Sequence, residues 1–131
     1  MQITRQADYA LRATLYLARL EPGERASTSK IAEVQQIPAS FLAKIISQLS
    51  IAGLINTTRG ARGGVALAKS LDKISMLDVV EAIDGPILLN DCTDPTYHCV
   101  FGDDCPIHPI WCLTKTELAR KLKAATFDQL V

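Results

Sequence analysis

The chain has 131 residues, 48% of them apolar and 21% charged, enough to bury one core and too apolar for intrinsic disorder. Its formal net charge is zero, yet residues 1–70 carry nine Lys/Arg against four Asp/Glu, and residues 71–131 carry five against ten; a basic front half suits phosphate attraction without requiring a basic protein. No apolar run reaches the roughly 18 residues of a membrane span, and charges at Arg5, Asp8, Arg12 and Arg19 interrupt the N-terminus at helical spacing, which excludes a signal peptide and predicts a cytoplasmic protein with no membrane partner.

Thr4 is placed to cap a first helix reaching about Leu20, with Ala7, Ala10, Leu11, Thr14 and Leu15 on a broad apolar face. Glu21-Pro22-Gly23-Glu24 is a turn. A short helix follows Ser27 or Thr28 and passes through Ile31, Ala32 and Val34. The connector Gln35-Gln36-Ile37-Pro38 leads into a second short helix, whose stripe is Phe41, Leu42, Ile45, Ile46 and Leu49 and whose end is marked by Gly53. Two short helices joined so tightly match a helix-turn-helix. Residues 54–59 then read as a strand, 60–64 as a glycine-rich basic turn and 65–68 as a return strand. Ser75 to Asp78 resembles a capping box with Asp in place of Glu, opening a helix that stops at Gly85-Pro86. Residues 87–108 show no helical period, and a last helix is predicted from Pro109 to about Leu130, with Trp111, Leu118, Leu122 and Ala125 on one stripe.

The expected architecture is therefore mainly α: a winged helix-turn-helix with a small β-hairpin wing and a long C-terminal dimerisation helix. Residues 1–70 form the DNA-binding segment and residues 71–131 a ligand-binding loop with the dimer helix. A long terminal helix with one apolar face needs a partner, and with so small a body the same helix of a second subunit supplies it, giving a homodimer. The second helix of the pair opens on small and polar residues, as base contact requires. Ser40 and Gln48 are candidate hydrogen-bond donors and acceptors to DNA, and Lys44 neutralises a phosphate. Arg59, Gly60 and Arg62 on the wing tip combine cations with close backbone approach to a groove. A plain helical hairpin would explain the two helices alone, but not a basic hairpin directly after them.

Cys92, Cys99, Cys105 and Cys112 fall within 21 residues in the pattern Cys-x6-Cys-x5-Cys-x2-His-x3-Cys, with His108 inside it. They lie among Asp, Gly, Tyr and Pro, where hydrophobic burial alone does not order a loop. In a reducing compartment a disulfide framework is not the first reading. Structural zinc normally shows closer-spaced cysteine pairs, whereas iron–sulfur clusters accept looser loops, and four thiols also permit a thiol–disulfide switch. All three chemistries are open at this point. No nucleotide fingerprint and no nucleophile–base pair is present, so no enzyme is expected.

Several motifs together resemble the family of small bacterial winged-helix iron–sulfur regulators typified by IscR, NsrR and RirA. They are Ile3-Thr4, Asp8-Tyr9-Ala10, Ile31-Ala32, Ile37-Pro38, Phe41-Leu42, Gly53-Leu54-Ile55, Arg59-Gly60, Gly63-Gly64, residues 79–85 and the cysteine loop. The resemblance implies a transcription regulator, a repressor in its holo form, whose dimer binds a palindromic promoter site in double-stranded DNA under control of a 2Fe–2S or 4Fe–4S cluster. It implies Cys92, Cys99 and Cys105 as ligands. The fourth is His108 in the IscR manner, or Asp8 of the partner subunit in the NsrR manner. Cys112 is an addition to the usual pattern, one turn into the terminal helix; it is a substitute for the fourth ligand, a resolving thiol or a buried helix cysteine. Ala43 stands where IscR-like members carry an acidic residue. The signal it implies is redox state, nitric oxide, or iron and cluster status; structural zinc or a thiol–disulfide switch is the alternative.

Overall fold

The computed structural model describes residues 2–131. Helix α1 (Arg5–Ala18) starts at Thr4, whose hydroxyl accepts from the Ala7 amide at 3.1 Å, satisfying one of the amides a helix start leaves free. The same hydroxyl donates to Asp84 at 2.7 Å, at the far end of another helix. The buried face of α1 is built from Ala7, Ala10, Ala13, Thr14, Leu17 and Ala18. Its four alanines and Thr14 are small enough to let a neighbouring helix approach closely. The Thr14 hydroxyl spends its donor on the Ala10 carbonyl at 2.8 Å, so its burial leaves nothing unpaired.

Helix α2 (Thr28–Gln35) is capped by Ser27, which accepts from the Lys30 amide at 3.1 Å. It ends on Gln36 in the left-handed region, φ 53°, and this reversal sends Ile37 into the core. Helix α3 (Ala39–Ile51) begins directly after Pro38 and buries Leu42, Ile45, Ile46 and Leu49. Phe41, expected on that stripe, is 44% exposed. It sits at the edge of the row, where its ring leans on Tyr9 of α1 at 6.4 Å between centroids.

Strands β1 (Ile55–Thr58) and β2 (Gly64–Leu67) pair antiparallel, with Ile55 opposite Leu67 and Thr58 opposite Gly64. Val65 also pairs with Ala26 through hydrogen bonds of 3.0 and 2.7 Å, so the hairpin is pinned to the segment before α2. Helix α4 (Met76–Asp84) has the expected capping box. Ser75 accepts from the Asp78 amide at 3.1 Å, and the Asp78 carboxylate accepts from the Ser75 amide at 2.9 Å. Gly85, at φ 77°, ends it.

Helix α5 (His108–Ala124) is shorter than the predicted span to residue 130. The chain leaves the helix at Ala125, so that residue does not continue the stripe. Thr126 bridges to Ser75, the Ala125 carbonyl accepts from Met76 and the Ile74 carbonyl from Phe127, and Phe127 is 1% exposed. Burying a phenyl side chain contributes about 1.5–3 kcal/mol, more than a frayed last turn of helix offers. Phe127, Ile74 and Val79 join Ala10, Leu42, Ile45 and Val65 in one core, so the 1–70 and 71–131 segments share their interior. A smaller cluster of Leu77, Val80 and Ile87 receives Leu118 and Leu122 of α5.

Candidate nucleic-acid interface and metal centre

Ser40 and Lys44 are one helical turn apart near the start of α3, and both are exposed. Gln48, one turn further on, differs from the expectation. It is half-buried, and among the described residues its side-chain carbonyl oxygen is the buried polar side-chain atom without a partner. Its place beside Ile45 and Leu49 explains this, since the α3 core row passes along that edge. Arg59, Gly60 and Arg62 are exposed on the hairpin turn. Among the described residues, Lys44, Arg59 and Arg62 form no ion pair; the two pairs found are Arg12–Asp8 and Lys123–Asp78. The turn requires glycine at Gly63, where a Cβ would stand 2.1 Å from the Thr58 carbonyl oxygen. The cationic hairpin turn and the exposed, polar start of α3 each carry groups able to contact phosphates.

Asp8 lies on the exposed side of α1. Arg12 donates to its carboxylate from Nη2 at 2.8 Å and Nε at 3.1 Å. The Arg12 guanidinium also stands 5.4 Å over the Tyr9 ring, which in turn touches Phe41. The structure therefore does not bring Asp8 to the cysteine loop of its own chain.

The cysteine loop contains two short 3-10 turns, Asp91–Thr93 and Gly102–Asp104. Local polar bonds shape its first part. Asn90 accepts from the Asp91 amide at 3.0 Å and aims its amide nitrogen at Cys92 Sγ, 3.6 Å away. The Asn90 carbonyl accepts from the Thr93 hydroxyl at 2.7 Å. Asp94 accepts from the Thr96 amide at 2.9 Å and the Thr96 hydroxyl at 2.8 Å. Those two bonds, the amide first, hold its carboxyl below the usual value; partial desolvation opposes them and Lys115 adds a smaller lowering. Lys115 of α5 donates to the Thr93 carbonyl at 3.1 Å and so ties this turn to the terminal helix. Asn90 and Lys115 carry no motif that marks them in the sequence; only the folded loop shows what they hold.

Cys92, Cys99, Cys105 and His108, all half-buried, line one open cavity of about 720 Å3, together with His98 and Trp111. All four cysteines are free thiols. Cys112 does not line the cavity; its Sγ lies 3.4 Å from Nε2 of His108. Among the described residues no three His, Cys, Asp or Glu side chains converge closely enough to hold a single metal ion. The donor set of three thiols and one imidazole around a wide cavity fits an iron–sulfur cluster, whose own atoms span the distance, better than a lone ion.

The fold and the basic hairpin define a winged-helix transcription regulator. Over residues 3–131 the sequence matches the Rrf2 family, described as iron-dependent transcriptional regulators, and the chain belongs to that family. Its members are regulators of transcription rather than enzymes. Among solved structures, the global cysteine regulator CymR of B. subtilis superposes with a TM-score of 0.82 at 25% identity, over 99% of this chain and 95% of that one. IscR of T. potens gives 0.79 at 22% identity, over 99% and 85%. The oxidized form of S. aureus CymR gives 0.79 at 24% identity, over 99% and 95%. At these identities the last two establish the fold alone. Among the described residues, no helix is long and apolar enough to cross a membrane.

Proposed function

We propose that this regulator binds DNA as a homodimer and that an iron–sulfur cluster held by Cys92, Cys99 and Cys105 sets its affinity. The carrying observation is that these three thiols and His108 line one cavity in a loop otherwise built from turns and a few polar bonds. Because His108 shares that cavity within one chain, we take it as the fourth ligand, which favours a 2Fe–2S cluster. The partner subunit's Asp8 with a 4Fe–4S cluster is the second assignment. Bound there, the cluster supplies a centre that oxygen, nitric oxide or iron shortage can alter.

The protein's own residues carry the response. Asn90 and Lys115 fix the turn around Cys92 to α5. In the proposed dimer α5 packs against its counterpart; all of its side chains are at least partly exposed in the single chain, with Ile110 and Leu113 more than half exposed. Twofold symmetry then requires a palindromic site, with half-sites spaced by the two α3 helices. Ser40, Lys44, Arg59, Gly60 and Arg62 contact that DNA, with Gln48 at the edge of the interface. A change in loop order shifts the dimer between DNA-competent and incompetent arrangements, the holo form acting as the repressor.

Likeness to a cysteine regulator, together with four free thiols, favours a second reading in which the loop works by thiol chemistry alone. Purification without oxygen separates the two. The cluster reading expects a brown protein containing iron and acid-labile sulfide. A colourless protein, whether zinc-loaded or metal-free, contradicts it.

A further inference from the structure

We propose that His108 and Cys112 form an interchangeable donor pair, so that the thiolate of Cys112 takes the fourth ligand position when the imidazole of His108 leaves it. The inference rests on the cluster reading above. The two residues are i and i+4 at the head of α5, on the same face of the helix. Cys112 Sγ lies 3.4 Å from Nε2 of His108 and 4.0 Å from Nδ1, so the thiol faces the outer ring nitrogen. Two donors on one tetrahedral metal, at about 2.3 Å for sulfur and 2.1 Å for nitrogen, are roughly 3.6 Å apart. The pair already has about that separation in the helix, so the thiol can reach the iron that the imidazole still holds and take its place as the ring turns away. His108 also lines the cavity of Cys92, Cys99 and Cys105, which brings Cys112 within one side-chain length of the same position.

In the exchange the Cys112 thiol gives its proton to the departing imidazole, and no electron moves. The site gains one negative charge, since a thiolate replaces a neutral ring. Thiolate ligation lowers a cluster's reduction potential relative to imidazole. The pair would thus give the regulator two states that differ in ease of reduction without loss of the cluster.

The test uses the full-length protein, reconstituted without oxygen, as wild type, His108→Ala, His108→Gln, Cys112→Ser and the His108→Ala/Cys112→Ser double variant. Iron, sulfide and the visible spectrum are measured, and Cys112 is probed with iodoacetamide in the loaded protein. Each single variant should keep the wild-type iron and sulfide content, and the double variant should lose it. Cys112 should be alkylated in loaded wild type and protected in both loaded His108 variants, whose midpoint potential falls. Circular dichroism identifies any variant that fails to fold, and the Gln form serves if the Ala form does. Loss of the cluster in both His108 variants, or Cys112 still alkylated in their loaded forms, overturns the pair while leaving the cluster reading intact. A wild type without iron or sulfide overturns that reading and the pair with it.

Discussion

Phe127 offers the sharpest test of how the C-terminal segment is held. Its side chain is 1% exposed and lies in the main core with Ile74 and Val79. Two backbone hydrogen bonds seat it, from Met76 to Ala125 and from Phe127 to Ile74, at 2.9 and 3.0 Å; together they make the Thr126–Ser75 bridge. Phe127→Ala leaves those backbone bonds in place and removes the ring. A fully buried Phe→Ala change costs about 3–5 kcal/mol through lost transfer free energy and the cavity left behind. For a chain of this size that corresponds to a drop of roughly 10–20 °C in Tm. Thermal and urea unfolding by circular dichroism measure it, at one fixed protomer concentration because a dimer's midpoint depends on concentration. A loss below about 1 kcal/mol, within the range of ordinary surface substitutions, would show that the tail does not fill the core, and the account of why α5 stops at Ala124 would fail.

Arg59→Ala should weaken DNA binding on every sequence and reduce the slope of log K against log salt by about 0.9 per wing, or roughly 1.8 for a dimer; fluorescence anisotropy over a salt series reads both. Ser75→Ala breaks the α4 capping box and should cost about 1 kcal/mol in urea unfolding with an unchanged m-value. Leu113→Asp puts a carboxylate on the exposed apolar side of α5 and should yield monomers in analytical ultracentrifugation, with DNA affinity reduced because one half-site alone is gripped. Cys99→Ala should abolish iron and sulfide binding while the circular dichroism spectrum keeps its helical shape; global unfolding would argue for a structural metal.

Much of the fold was legible because it is set locally. Thr4, Ser27 and Ser75 are caps whose side chains meet the amides three residues ahead, and α3 declares itself by the spacing of Leu42, Ile45, Ile46 and Leu49. The hairpin is marked by its glycines. Features that depend on distant residues escaped. Nothing near Thr126 in sequence announces its pairing with Ser75, so residue spacing alone extends α5 about six residues too far. Phe41 fits the apolar stripe by spacing and is held at the surface by Tyr9, a residue of another helix. Gln48 fits the polar face by type and is drawn inward at the edge of the core row.

The candidate site divides in the same way. The cysteines and His108 stand out by residue type in and beside a loop with no apolar period, and Arg59 and Arg62 by charge beside glycine. Lys115 and Asn90 are ordinary polar residues until folding brings them to the Thr93 carbonyl and to Cys92 Sγ. The approach of Cys112 to His108 is helical geometry, but its Nε2 orientation is a property of the folded side chains.

The account turns on coupling between loop and DNA. The direct measurement is one anisotropy titration, at fixed salt and without oxygen, of a DNA fragment selected from a random pool with both forms of the protein, comparing cluster-loaded dimer with the same preparation after cluster removal. The loaded form should bind at least about tenfold more tightly, a difference of about 1.4 kcal/mol. Equal affinity of the two forms would mean that the cysteine loop does not govern DNA binding.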